Sequence, residues 1–146
     1  MTKGRKWFLL PIFLAFSISA SLLSRSSSAL PQDQELQVIE LTAKKYEYSP
    51  SPVHIKAGTK VQFKITATDH DHGFKIATVP HGAERNSKPG LVFASPQDCW
   101  LLKKGETTTI EFLAQTPGTY TFKCCHTCGL GHRGMKGQII VDPAAM

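Results

Sequence analysis

A chain of 146 residues has room for one domain and a leader, and 41% apolar with 19% charged content excludes a disordered body. The formal charge of +6 is concentrated at the start, because Lys3, Arg5, Lys6 and Arg25 fall within the first 30 residues, which hold no acid. Without those four, 13 basic groups face 11 acidic ones, and an excess that small gives no support to nucleic-acid binding.

Met1 to Lys6 is a basic stretch, Trp7 to Leu23 is apolar, and Ser26-Ser27-Ser28-Ala29 puts small residues at the −3 and −1 positions for cleavage after Ala29. This is the layout of a secretory signal peptide. The alternative is an uncleaved membrane anchor. The apolar run is 17 residues long and interrupted by Pro11 and three serines, marginal against the roughly 20 residues a spanning helix needs. Residues 1–29 are therefore expected to be a signal peptide or membrane anchor, 30–34 a linker, and 35–146 one soluble domain. Either leader delivers the body to the periplasmic or extracytoplasmic side.

In the body, Glu35 to Leu41 alternates and continues into Thr42 to Tyr48, predicting one long strand or two joined by a bend. Ser49-Pro50-Ser51-Pro52 breaks it, since proline cannot donate to a ladder. Val53 and Ile55 make a short strand. Val61, Phe63 and Ile65 alternate with polar residues in a half-buried strand. Asp69-His70-Asp71-His72-Gly73 is expected as a polar turn ahead of Phe74, Ile76 and Val79. Pro80 to Gln97, with its glycines and prolines, is expected as a long loop. Thr107 to Ala114 and Thr119 to Lys123 predict two further strands, and Gln138 to Val141 a last one. No segment keeps a helical period over ten residues. Short strands between Gly/Pro turns predict an all-β sandwich with Greek-key connections.

The densest chemistry lies between the last two strands, from Cys124 to Met135. It holds three thiols, two imidazoles and a thioether. Soft sulfur with imidazole suits copper, zinc or iron–sulfur chemistry, not magnesium or calcium. Four side chains, Cys124, Cys128, His132 and Met135, read as Cys-x3-Cys-x3-His-x2-Met. Three cysteines within five residues favour metal ligation over a disulfide framework, and Cys99 stands apart. A c-type haem would need histidine directly after Cys128, where Gly129 stands. Structural zinc is the serious rival to copper, but zinc has no use for the thioether of Met135. His70 or His72 is the natural remote ligand.

These residues, with an upstream His72-Gly73-Phe74 at a strand end, resemble the dinuclear copper A domain of cytochrome c oxidase subunit II and nitrous oxide reductase. The resemblance covers about Leu36 to Asp142, and two cysteines at i and i+4 set it apart from mononuclear blue-copper loops, which carry one. It implies a cupredoxin fold in which Cys124 and Cys128 bridge two copper ions. It further implies that His72 and His132 each ligate one ion, with Met135 as weak axial ligand and the His126 backbone carbonyl as the last contact. His72 is preferred to His70 because Gly73-Phe74 fits the family pattern.

The chain also departs from that family. A typical oxidase subunit II has a transmembrane hairpin. Many carry an acidic or amide residue where His126 stands, a glutamate there contributing to a neighbouring magnesium site. Cys99 and Cys125 are additional, with a disulfide between them left open, and no tryptophan accompanies Tyr46. The expectation is an exported electron carrier that performs no bond chemistry by itself and exchanges electrons with a c-type cytochrome or similar redox protein. An electron-entry subunit of a terminal oxidase and a copper carrier or chaperone are the alternatives. Contact with a membrane is expected only through an uncleaved leader.

Overall fold

The computed structural model describes residues 35–84 and 86–144. The expected leader, cleavage point and linker lie outside the described residues. Among the described residues, no helix is long and apolar enough to cross a membrane.

The body is built from strands, as its alternating pattern requires. β1 (Leu36–Lys44), β2 (Glu47–Ser49), β4 (Lys60–Ala67), β6 (Leu91–Phe93) and β8 (Thr107–Ala114) make one sheet, ordered β2-β1-β4-β8-β6. β3 (Val53–Lys56), β5 (His72–Ile76), β7 (Trp100–Leu102), β9 (Gly118–Lys123) and β10 (Lys136–Asp142) make the other, ordered β3-β10-β9-β5-β7. β1 runs parallel to β4 and β3 parallel to β10, while the remaining pairs are antiparallel. From β2 to β9 successive strands alternate between the sheets, so the chain crosses between layers as a Greek key does.

The stretch read as one long strand or two joined by a bend is two, with β2 turning back at Lys45-Tyr46 to pair antiparallel with β1. Three elements differ from the sequence expectation. The expected loop from Pro80 to Gln97 carries β6, an edge strand of three residues. β7 is equally short; strands of this length show too few alternations to read as periodic. The polar turn ends earlier than expected, because His72 is the first residue of β5 and is fully buried.

The inward residues of both sheets meet in one aromatic core. Phe63 packs edge-to-face on Phe112 and Phe74, at centroid distances of 5.1 and 6.3 Å. Tyr48 packs the same way on Phe74 and Phe122, at 5.2 and 5.3 Å. Such pairs add to the hydrophobic gain because ring edges and faces carry opposite partial charge. Tyr48 also donates its hydroxyl to the Gly73 carbonyl, which ties the first sheet to the strand carrying His72. Phe63 is among the largest fully buried side chains and sits between the two sheets. Phe63→Ala is expected to cost about 3–5 kcal/mol of unfolding free energy, read from the denaturant midpoint at unchanged slope.

Candidate metal centre

The base of the loop between β9 and β10 is closed by a hydrogen bond, with the Cys124 N–H donating to the Met135 carbonyl at 3.0 Å. Within it a 3-10 turn over His132–Gly134 is held by His132 N–H to the Gly129 carbonyl and Met135 N–H to the His132 carbonyl, both 3.1 Å. This folding brings the sulfur and imidazole groups back over one another. The Cys124 and Cys128 sulfurs face each other at 3.5 Å, both buried and neither in a disulfide. The Cys128 sulfur lies 3.9 Å from His132 Nδ1 and 3.9 Å from the thioether of Met135, which is fully buried. The His126 carbonyl oxygen points to the Cys124 sulfur at 3.1 Å, while the His126 side chain is exposed.

The second source of donors is the β4–β5 connection. His72 Nε2 lies 2.7 Å from Asp69 Oδ1, and the carboxylate fixes the ring proton on that nitrogen. Its other nitrogen keeps a free lone pair. Among the described residues, His72 Nδ1 is the one buried side-chain nitrogen or oxygen with no hydrogen-bond partner. A buried, unpartnered acceptor is costly unless something fills the place of a proton donor, and a metal ion does so.

His70 is placed differently, although it lies edge-on to His72 at 4.1 Å. Its Nδ1 faces Asp69 Oδ1 at 3.0 Å and its Nε2 faces the Cys128 carbonyl at 2.7 Å. Both nitrogens are thus spent on acceptors. His70 braces the ligand loop from below. Donor atoms come together in two overlapping groups, His70, His72 and Cys128 in one and Cys124, Cys128 and His132 in the other, each with all atoms within 4.8 Å. Cys128 belongs to both. The residues present fit a soft metal with sulfur and imidazole ligands.

Burial, aided by the neighbouring Cys124, pushes the Cys128 thiol up to about 11. Burial likewise raises the Tyr48 phenol beyond its ordinary range, with Cys124 adding to it. Desolvation works to raise the Asp69 carboxyl as well. Hydrogen bonds from His72, the Lys45 N–H and His70 outweigh it and hold the group well below the usual carboxylate range.

Three contributors to the site had no role assigned from the sequence. Asp69 orients both histidines, and its signal is the acid–histidine alternation from 69 to 72. Gly73 lets the ligand loop lie against β5, because a Cβ there would sit 2.5 Å from the His126 nitrogen and 2.7 Å from the Cys125 sulfur. Tyr46 lies over the loop glycines, since a Cβ on Gly131 would run into its ring. The remaining cysteine of the loop is used up elsewhere: Cys125 forms a disulfide with Cys99, just before β7.

The Cupredoxin-like domain profile matches residues 12–141. Cytochrome c oxidase subunit 2 of Thermus thermophilus is 31% identical over 96 residues, 66% of this chain and 58% of that protein; a second subunit 2 sequence of the same species matches over 47% of its length. The chain thus spans about half the length of these curated relatives. Among solved structures, auracyanin from Roseiflexus castenholzii is 25% identical with a TM-score of 0.51, over 73% of this chain and 98% of that one. The periplasmic domain of subunit II of cytochrome oxidase (CoxB) of Bradyrhizobium japonicum shares the fold at a TM-score of 0.56, with 15% identity over 73% of this chain and 84% of that one. With a match that runs through nearly all of the body and a sulfur–imidazole pocket at one end of its sandwich, the chain belongs to the cupredoxin-like domain family and is homologous to cytochrome c oxidase subunit 2.

Proposed function

We propose that the body is an extracytoplasmic electron-transfer domain holding two copper ions in the pocket between the β4–β5 connection and the β9–β10 loop. Cys124 and Cys128 would bridge the ions, His72 and His132 would each hold one, and Met135 and the His126 carbonyl would complete the set. The observation that carries this reading is the pair of buried free thiols facing each other at 3.5 Å, with Cys128 shared between two donor groups. A zinc site of the structural kind closes with four ligands around a single centre, which Cys124, Cys128, His72 and His132 would already supply; the buried thioether of Met135 beside Cys128 has no place in such a site and suits copper. Copper bound there would supply a one-electron couple, with the two thiolates as its principal soft ligands.

The chain's own residues serve that couple by holding still. Asp69 orients His72, His70 braces the Cys128 carbonyl, and the closed base of the loop fixes Cys124 against Met135. A prearranged donor set keeps reorganisation small and tunes the site through its surroundings. Residues 1–29 are proposed to deliver the domain across the membrane. A c-type cytochrome or similar protein is proposed as electron donor, with a terminal oxidase as the acceptor if the domain works as a subunit II. Co-purification with a haem–copper catalytic subunit would favour the subunit reading over the stand-alone carrier.

The electron paramagnetic resonance spectrum of the copper-loaded body tests the centre directly. Coupling of one electron to two copper nuclei is expected, and coupling to a single nucleus with copper bound would replace the reading by a mononuclear site. Cys128→Ser should abolish the shared spectrum. The double variant Cys99→Ser/Cys125→Ser should keep it while losing about 3 kcal/mol of stability, the entropic worth of a loop of this size; the disulfide spans 26 residues. Equal spectral loss in both variants would mean that the wrong thiol pair has been assigned. Rapid surrender of copper to a mild chelator, with no reversible couple in voltammetry, would instead make the protein a copper carrier.

Asp69→Asn gives a separate measure of how far the imidazole depends on its carboxylate. It should weaken copper binding roughly 10–100-fold, as loss of such an outer partner does, in a competition titration against a chelator of known affinity. Unchanged affinity would show that His72 needs no carboxylate to be held.

A further inference from the structure

The outer face of the second sheet carries a row of charge that the fold itself does not need. Lys123 on β9 lies directly opposite Lys136 on β10 and directly opposite Lys75 on β5. All three side chains are exposed, and their chain neighbours Phe122, Cys124, Phe74, Ile76 and Met135 point inward. Like charges placed directly opposite on one sheet face repel and destabilise the pairing. Among the described residues, no acid lies within ion-pair distance of Lys123 or Lys136, and Lys75 has only the fully exposed Asp98 at 4.0 Å. The other sheet shows no such row. There Lys64 stands opposite Glu40, and Gln62 bonds Glu111 at 2.7 Å.

The row has a definite place. Lys123 immediately precedes Cys124 and Lys136 immediately follows Met135, so two of the three lysines flank the hydrogen bond that closes the ligand loop. The loop itself adds the exposed Arg133 and puts Leu130 wholly into solvent at its tip. Three in-register strands span about 10 Å, the scale of an acidic strip on a folded protein and far smaller than a lipid plane. The rows behind it on the same face are Thr121 with Gln138 and Thr119 with Ile140. Apart from the half-buried Ile140, those rows are polar, so they offer no cluster of apolar side chains such as a surface helix or loop buries in a membrane.

We infer that the row formed by Lys75, Lys123 and Lys136, with Arg133, is a docking face for an acidic protein partner that meets the ligand loop. The inference rests on the electron-transfer reading above, for it names the kind of partner that exchanges electrons at that loop. Cationic rows of this sort raise encounter rates and fix orientation while leaving the complex short-lived. That is what a carrier requires of its partner. The repulsion within the row is the cost in stability of keeping the face ready.

The metal-free protein suffices for the test, so its outcome is independent of how many copper ions bind. Backbone amide shifts are followed by NMR while deca-glutamate is added, first at low salt and then at about 0.2 M, where screening shortens the reach of exposed charges to under about 8 Å. Shifts centred on residues 75, 123, 133 and 136 that collapse at high salt are expected. Lys123→Glu should abolish them and raise the Tm of the metal-free protein, because the new carboxylate lies between two lysines. Lys60→Gln, on the other sheet opposite Leu36 and Leu113, should change neither. Shifts spread evenly over all lysines, or binding to phosphatidylglycerol vesicles without binding to the peptide, would overturn the assignment. So would a Lys123→Glu protein no more stable than the parent, since the row would then carry no strain to explain.

Discussion

Two thiols held 3.5 Å apart in a buried pocket set the terms for everything at this end of the molecule. As neutral thiols they are tolerable there, and burial together with Cys124 keeps the Cys128 proton on to about pH 11. As thiolates they repel each other and lose their hydration, a combination that only a nearby cation offsets. A soft cation in the pocket would therefore be the condition under which the two sulfurs could coexist as thiolates. The sandwich has to hold that geometry in either case. It does so with an aromatic core that reaches up to Tyr48, whose hydroxyl anchors the Gly73 carbonyl beside His72.

The third thiol of the loop shows how the fold separates roles that the sequence places side by side. Cys124 and Cys125 are adjacent, and at the end of a strand adjacent side chains point to opposite sides. Cys124 turns to the buried pocket, while Cys125 reaches Cys99 ahead of β7. The bond takes the third sulfur out of the buried cluster and ties the loop to the segment leading into an edge strand of the same sheet. Gly73 makes this possible, because any side chain there would strike both the Cys125 sulfur and the His126 backbone.

The long alternating strands were legible because each shows its inward face several times over. β4 repeats Val61, Phe63 and Ile65, and β8 repeats Ile110, Phe112 and Ala114. β6 and β7 present two inward residues at most, so their existence depends on neighbours that only the folded chain supplies. In the loop, Cys124, Cys128, His132 and Met135 announced themselves through spacing alone. The environment of the remote histidine did not, since Asp69, His70, Asp71 and His72 all look like solvent-facing polar residues in one dimension. Their roles are fixed by depth. His72 is drawn in as the first residue of β5 with nothing for Nδ1 to bond, whereas His70, two residues earlier, spends both nitrogens.

That pair of histidines shows why one carboxylate matters so much here. Asp69 Oδ1 serves His72 Nε2, His70 Nδ1 and the His70 N–H, and its Oδ2 takes the Lys45 N–H from the β1–β2 turn. One side chain therefore joins the strand turn, the brace under Cys128 and the buried His72. Because all of these converge on a single anion, none can shift without the others, and the imidazole and the thiol loop are held in mutual register without a direct bond between them. A site assembled that way gains its rigidity from charge-assisted hydrogen bonds. The outer face of β5, β9 and β10 is thereby left free of any structural duty, open to a row of lysines that a fold designed for stability alone would not place there.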